Sequence, residues 1–193
     1  MAERRDECTS DQALISDVAS ADQAAFEALY RRYQGRVYRY LRMLVQDPAS
    51  AEELVLDVMV AVWKGAGSFR GQSSLSTWIF GIARNKAMDA IRHMMRKQHG
   101  WVSLEEAPEQ VDSQCDLAVE AEQKSVAALT RRALASLSTE HREVIQLVFF
   151  DELSCRETAE IVGCPLNTVK TRLFYARRHL KKILQEMGVG RLG

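Results

Sequence analysis

One stretch near the C-terminus leaves the backbone few options. Ser154-Cys-Arg-Glu157 is a capping box: the serine oxygen accepts from a backbone N–H, and the glutamate three residues on reaches back. Ala159, Ile161 and Val162 then form one helical face. Gly163 can take the left-handed conformation that ends a helix, and Pro165 cannot continue one but suits the start of the next. The following helix is expected from Leu166 or Asn167 to Gln185. Val169, Leu173, Ala176 and Leu180 point inward on it, leaving Thr168, Lys170, Thr171, Arg172, Phe174, Tyr175, Arg177 and Arg178 mostly outward. Upstream, Ser138 caps a helix holding Val144, Ile145, Leu147, Val148 and Phe149, and Asp151-Glu152-Leu153 makes a short turn.

A short helix, a tight glycine turn and a cation-rich second helix describe a helix-turn-helix that reads DNA. Lys and Arg can read guanine edges in the major groove, while Thr and backbone N–H groups near a helix start can hold phosphate. The competing interpretation is a helical hairpin with a solvated basic face. It leaves the ordered set of caps, turn and basic helix without a purpose.

The remainder also reads as helix, and the expected class is all-α: two small helical domains joined by an acidic linker. No segment shows sustained strand alternation between turn residues. Phe26, Leu29, Tyr30, Tyr33, Val37, Tyr40, Leu41 and Leu44 recur at helical spacing before Asp47-Pro48 breaks the chain. Ser50, with Glu53 three residues on, is expected to cap the next helix, which runs to about Lys64 and ends at Gly65-Ala-Gly67. A polar loop follows through Ser76. A third helix is expected after Thr77, with Trp78, Ile79, Ile82, Ala83, Ala87, Ala90 and Ile91 on its apolar side, ending in a basic stretch from Arg92 to Lys97. The resulting division is an acidic tail without structure at 1–21, one domain at 22–97, a linker at 98–125, a second domain at 126–187 and a short tail at 188–193. Trp101, Val102 and Leu104 are the few apolar residues at the start of the linker.

Charge is segregated along this chain of 193 residues, although Lys+Arg and Asp+Glu both total 26. Residues 1–23 carry a net −4, 24–96 a net +5, 97–125 a net −5 and 126–193 a net +4. Two basic blocks therefore sit inside a neutral total, each able to meet phosphate. The N-terminus has no apolar core of a signal peptide, and the longest apolar run, Leu54 to Trp63, is too short to span a bilayer and carries Asp57. Cys8, Cys115, Cys155 and Cys164 show no CxxC and no metal spacing with the histidines, so free thiols in the cytoplasm are expected. His93, His99, His141 and His179 lie among polar or basic neighbours and read as surface residues. No phosphate loop, metal cluster or nucleophile–base arrangement supports an enzyme, and no cofactor is expected.

The first basic block mixes aromatics with cations near its loop: Trp63, Lys64, Phe69, Arg70, Trp78, Phe80, Arg84, Lys86 and Arg92. Single-stranded nucleic acid needs that mixture, since bases stack while phosphates pair. Trp63 and Trp78 lie in apolar helices and read as core ahead of stacking platforms.

Two segments carry a family resemblance. SAEELVLDVMVAVWKGAGSFRGQSSLSTWIFGIARNKAMDAIR (residues 50–92) resembles region 2 of the bacterial sigma-70 family, in its extracytoplasmic-function (ECF) group. ELSCRETAEIVGCPLNTVKTRLFYARRHL (residues 152–180) resembles region 4 of the same group. Their order, spacing and the missing middle domain match as well, so the resemblance covers about residues 22–185.

The resemblance implies a factor that binds core RNA polymerase and directs it to promoters. The first domain would open the −10 element and hold one strand; the second would read −35 duplex DNA and dock on the β flap. Glu53, Leu56 and Asp57 match the face that meets the β′ clamp, with Leu56 standing where the family commonly has Gln. Ser68, Phe69, Arg70, Gly71, Ser73 and Ser74, with Asn85, match the loop that captures a base flipped from the −10 strand, and Arg84, Lys86 and Arg92 are candidates for its phosphates. Thr168, Lys170, Thr171, Arg172, Phe174, Tyr175, Arg177 and Arg178 are candidates for −35 reading. The resemblance also implies control by an anti-sigma factor. Its rivals are a helix-turn-helix regulator that binds DNA alone and a protein-binding adaptor, the latter leaving the basic helix unexplained.

Overall fold

The computed structural model describes residues 10–99 and 132–186, and all regular structure among them is helical. The N-terminal unit contains α1 (Asp11–Ala19), α2 (Gln23–Val45), α3 (Pro48–Gly65) and α4 (Leu75–His99), with a single 3-10 turn, Ala66–Ser68, leading into the loop before α4. The C-terminal unit as described begins with helical residues 132–135. It continues with α5 (Thr139–Ile145), a π-turn (Gln146–Phe150), α6 (Cys155–Val162) and α7 (Leu166–Glu186).

Residues 11–19 correct the expectation of an unstructured tail. Ser10 caps α1 by accepting from the Ala13 N–H, and Leu14, Ile15 and Val18 are buried on its inner face. The helix is tied to α2 through Asp11, whose carboxylate accepts from the Tyr33 hydroxyl at 2.7 Å and the Arg32 guanidinium at 2.8 Å. An acidic composition hid a three-residue apolar stripe that finds its cover only in the folded bundle. Residues 1–9 lie outside the described residues, as do Trp101, Val102, Leu104 and the rest of the linker beyond α4.

Other boundaries move for local reasons. Asp47, not Ser50, caps α3: its carboxylate accepts from the Ser50 N–H at 2.7 Å, and Pro48 occupies the first turn, where its missing N–H costs nothing. The Ser50–Glu53 pair therefore sits inside the helix and forms no cap. α4 starts at Leu75, two residues before Thr77, because Ser74 Oγ accepts from the Thr77 N–H at 3.2 Å. The capping box Ser154–Glu157 forms as expected, and Gly163 takes φ 68° at the end of α6. Ser138 caps α5 by accepting from the His141 N–H.

α2, α3 and α4 pack around Leu29, Tyr33, Val37, Tyr40, Leu41, Val58, Val62, Ile79, Phe80 and Ala83, all nearly inaccessible to solvent. Phe80, expected among nucleic-acid-facing aromatics, is wholly buried with its ring edge-on to Tyr40 at 5.4 Å. Trp63 is half-buried against Phe26 at 4.9 Å, as a core aromatic should be. The C-terminal unit has its own core of Leu137, Val144, Ile145, Val169, Leu173 and Ala176. Leu147, Leu153, Ile161 and Val162 instead join the N-terminal core, so α6 packs along α4 and α5 along α2.

Truncating a buried branched side chain costs its transfer energy plus a cavity. Ile15→Ala in α1 should therefore lower the unfolding free energy by about 2–4 kcal/mol in urea titrations followed by circular dichroism. A change near zero would return residues 11–19 to the status of a tail.

Candidate polymerase and nucleic-acid interfaces

The loop between α3 and α4 is shaped from both sides. Ser68 Oγ donates to the Gly65 carbonyl at 2.7 Å, closing the 3-10 turn, and Phe69 leans on Trp78 with ring centroids 5.2 Å apart. Gly71 has φ 67°, a conformation that favours glycine, and a Cβ there would lie 3.6 Å from the Gln12 side chain of α1. α1 thus backs the loop, which sequence patterning did not anticipate. Ser68, Arg70 and Gly71 are exposed and Ser73 is half-buried. Arg70 and the nearby Lys64 are exposed cations with no ion pair among the described residues.

The other candidates for the single strand are already engaged. Arg84 Nε donates to Glu143 at 2.9 Å, Lys86 lies 3.8 Å from Asp57, and Arg92 pairs with Asp89 at 2.6 Å. The last two pairs are exposed and weak. The first is different, because Glu143 is 4% exposed and also accepts from the Tyr40 hydroxyl at 2.7 Å. Ser74, at the end of the loop, donates to Glu157 at 2.6 Å, and Thr77 donates to the same oxygen at 3.0 Å. Asn85 is exposed one residue beyond Arg84.

The outer face of α3 presents Glu53, Leu56, Asp57 and Val60 in line at helical spacing, all exposed. Leu56 and Val60 are 57% and 49% exposed, large apolar side chains left uncovered beside two carboxylates. Leu56 also edges a groove of about 570 Å³ with Tyr30, Gln34, Tyr38 and Val55 between α2 and α3. Such a strip suits a partner that is itself apolar and basic. Val60 was not expected in this set, although it lies four residues from Leu56.

On α7, Lys170, Thr171, Phe174, Tyr175, Arg177 and Arg178 are exposed, whereas Thr168 and Arg172 are half-buried. Arg172 lies 3.4 Å from Glu140 on α5. Phe174 and Tyr175 meet edge-on at 5.4 Å and stand 63% and 52% exposed. The guanidinium of Arg177 covers the Phe149 ring at 4.6 Å. Exposed cations and aromatics at the open side of a capped, glycine-turned helix pair provide what major-groove reading requires.

Comparison with known proteins places this geometry. The family model for sigma-70 region 2 matches residues 29–97, and that for sigma-70, region 4 matches residues 133–182. The chain is 34% identical over 166 residues to the ECF RNA polymerase sigma factor RpoE of Cereibacter sphaeroides, covering 83% of this chain and 87% of that protein. The chain belongs to the sigma-70 family, in its ECF group. It is also 33% identical to the ECF sigma factor SigL of Mycobacterium tuberculosis over 93% of this chain and 99% of SigL. Among solved structures it is similar to the sigma factor RpoE bound to the anti-sigma factor NepR from Bartonella quintana. That match has a TM-score of 0.63 and 26% identity, over 83% of this chain and 96% of that one.

As a sigma factor the chain is a transcription initiation factor, and the two matched regions fall within the two helical units, with α1 and the start of α2 outside the first match. No helix among the described residues is long and apolar enough to cross a membrane, and no group of His, Cys, Asp or Glu among them is placed to hold a metal. Cys155 and Cys164 are free, half-buried thiols; Cys8 and Cys115 lie outside the described residues.

Three carboxylates absent from the expected site bind the two units of this sigma factor together. Besides Glu143 and Glu157, Asp151 is 2% exposed; its carboxylate accepts from Arg36 Nε at 3.3 Å, and its carbonyl from Arg36 Nη2 at 2.7 Å. Burial pushes the Asp151 carboxyl above its ordinary value against the pull of Gln146 and Arg36. For Glu157, burial acts upward too, but hydrogen bonds from Ser74, from the Ser154 side chain and backbone, and from Thr77 outweigh it and hold the carboxyl at about 2, against an ordinary 4.5. Only Glu157 had a signal in the sequence, and that signal was for its cap.

A depressed folded value means the Glu157 contact stabilises fully above the unfolded value and is lost as pH falls through the folded one. Between about pH 5 and about pH 3 the wild type should therefore lose more urea stability than Glu157→Gln, which has no charge to lose there. Parallel declines would show that the carboxylate carries no such contact.

Proposed function

We propose that this sigma factor joins core RNA polymerase through the Glu53–Leu56–Asp57 strip of α3 on the β′ clamp and through its C-terminal unit on the β flap. In this reading, the α3–α4 loop and the near end of α4 capture the non-template strand of the −10 element. The open face of α7 reads the −35 duplex. The observation that carries the proposal is one polypeptide with two separate sets of nucleic-acid chemistry. One is a shaped loop with exposed serines and Arg70; the other is an exposed helix face of cations and aromatics. A single strand and a duplex need different surfaces, and the chain carries one suited to each.

Control by an anti-sigma factor is part of the proposal. It is supported by the similarity to RpoE, whose solved structure is a complex with the anti-sigma factor NepR. Leu56 and Val60 are uncovered apolar residues on the surface that a polymerase and an inhibitor would compete for. The reading places the protein in the cytoplasm, with the polymerase.

Run-off transcription from fragmented genomic DNA, with bacterial core polymerase and with and without this protein, tests the proposal. Discrete transcripts that need both components are expected. A gel shift by the protein alone, with no transcripts, would make it a regulator that acts without polymerase. At a promoter mapped in this way, Arg172→Ala should weaken −35 binding by about 1–3 kcal/mol while leaving core binding unchanged. Equal transcription by wild type and variant at moderate salt would remove Arg172 from the reading surface.

A further inference from the structure

The α3–α4 loop has a wall that neither of its flanking helices supplies. α1 packs against the 3-10 turn Ala66–Ser68, where Ala66 is buried. Gln12, in the first turn of α1, is exposed, and its amide makes no hydrogen bond to any described residue. That amide stands at the loop: Oε1 lies 3.6 Å and Nε2 3.9 Å from the point where a Cβ on Gly71 would be. Apart from the residues next to Gly71 in the chain, nothing else comes within 4 Å of that point. The position of Gln12 is also fixed from behind. Its neighbour Asp11 accepts from the Tyr33 hydroxyl at 2.7 Å and from Arg32 at 2.8 Å. Burial raises the Tyr33 hydroxyl to about 12, so it keeps its proton. That single proton goes to Asp11, so Ser76 Oγ donates to the phenol oxygen at 3.1 Å. Asp11 is thereby tied to the first turn of α4, just past the loop, while Leu14, Ile15 and Val18 bury the inner face of α1. The Arg32 guanidinium offsets the Asp11 charge, which would otherwise repel a phosphate near the loop.

We propose that Gln12 is a specificity-determining residue of the single-strand site: its amide hydrogen-bonds the edge of a base captured at the α3–α4 loop, and Asp11 is the positioning residue that holds it there. The inference rests on the reading of that loop as the −10 site. A carboxamide offers a donor and an acceptor side by side, which can pair with two adjacent atoms of a base edge. A base drawn out of its stack is read along its Watson–Crick edge, and groups already in place help to offset the unstacking. The other polar side chains at the loop suit other tasks. Ser68 donates to the Gly65 carbonyl and Ser74 to Glu157, while Arg70 is an exposed cation suited to a phosphate. Gln72 is a second exposed amide, but it sits on the loop itself. Gln12 is carried by a packed helix, so its amide stays at Gly71 without the loop having to order it.

The test uses holoenzyme assembled from bacterial core polymerase and the full chain. It is mixed with a library of short single-stranded DNA of randomised sequence, and the bound fraction is sequenced against core polymerase alone. Wild type should enrich a motif. Gln12→Ala should lower the base preference at one position of that motif about tenfold, while the other positions keep theirs. Gln12→Met keeps the length of the side chain and loses its hydrogen-bonding groups, so it should lose the same preference. Asp11→Ala should blur that position too, and Asp11→Asn, which keeps an oxygen to accept from Tyr33, should restore most of it. Gln12 is exposed, so thermal melts of its two variants should match wild type. An unchanged motif in Gln12→Ala, a loss of binding uniform across all positions, or a wild-type motif in Gln12→Met each overturns the proposal. The loop reading fails by a different sign. If wild type enriches no motif over core polymerase, or if Arg70→Ala with Ser73→Ala binds the strand as wild type does, the loop is removed from the site and Gln12 with it.

Discussion

A carboxylate with almost no contact with water must be matched by donors or the fold pays several kcal/mol for it. Glu143 is that group in this sigma factor. It lies on a short helix of the C-terminal unit, and its oxygen is shared by the Tyr40 hydroxyl and the Arg84 guanidinium of the N-terminal unit. Its position dictates where α5 sits on α2, and α5 carries with it the π-turn, Asp151 and α6. Burial holds the Tyr40 phenol well above its ordinary range, with the neighbouring Glu143 charge acting the same way, so it remains a donor to that carboxylate. Removing Arg84 would leave that buried charge with the Tyr40 hydroxyl as its remaining donor among the described residues and without its cationic partner.

The two candidate nucleic-acid surfaces differ in how far their side chains are already engaged. The α7 face is set by local geometry, a cap, a glycine and a proline, and most of its candidate residues are exposed, although Arg172 is half-buried beside Glu140. The α3–α4 loop has Arg70 and Ser68 exposed, while Ser74 and Arg84 are occupied by carboxylates. The α3 strip of Glu53, Leu56, Asp57 and Val60 faces away from these contacts and is open to a partner.

Much of the helical architecture was legible because helix signals are short-range. Ser154 with Glu157, Gly163 and Pro165 act within one or two turns, and each does in the structure what its chemistry implies. The apolar stripe of α2 was equally plain. Asp47 was overlooked as a cap because Ser50–Glu53 offered a second, equally well-formed signal three residues on; Pro48 in the first turn decides between them. α1 was missed because its three buried residues are few beside its acids and polar groups, and their burial depends on a groove made by distant helices. Phe80 was placed on the wrong side because an aromatic among cations looks the same whether it stacks on a base or on Tyr40.

Taken by itself, the order of residues determined that the chain is helical, that it has two basic blocks, that one of them ends in a helix-turn-helix, and which family it resembles. Those properties follow from periodicity, caps and motifs, all of which operate between near neighbours along the chain. Only the tertiary structure decided that Glu143, Asp151 and Glu157 are ligands of the other unit, that α1 supports the loop at Gly71, and that Leu56 continues into Val60 as one uncovered strip. Pairings such as Arg36 with Asp151 or Ser74 with Glu157 join residues far apart in sequence, and an isolated acidic side chain has the same local preferences whether it ends in solvent or on a buried guanidinium.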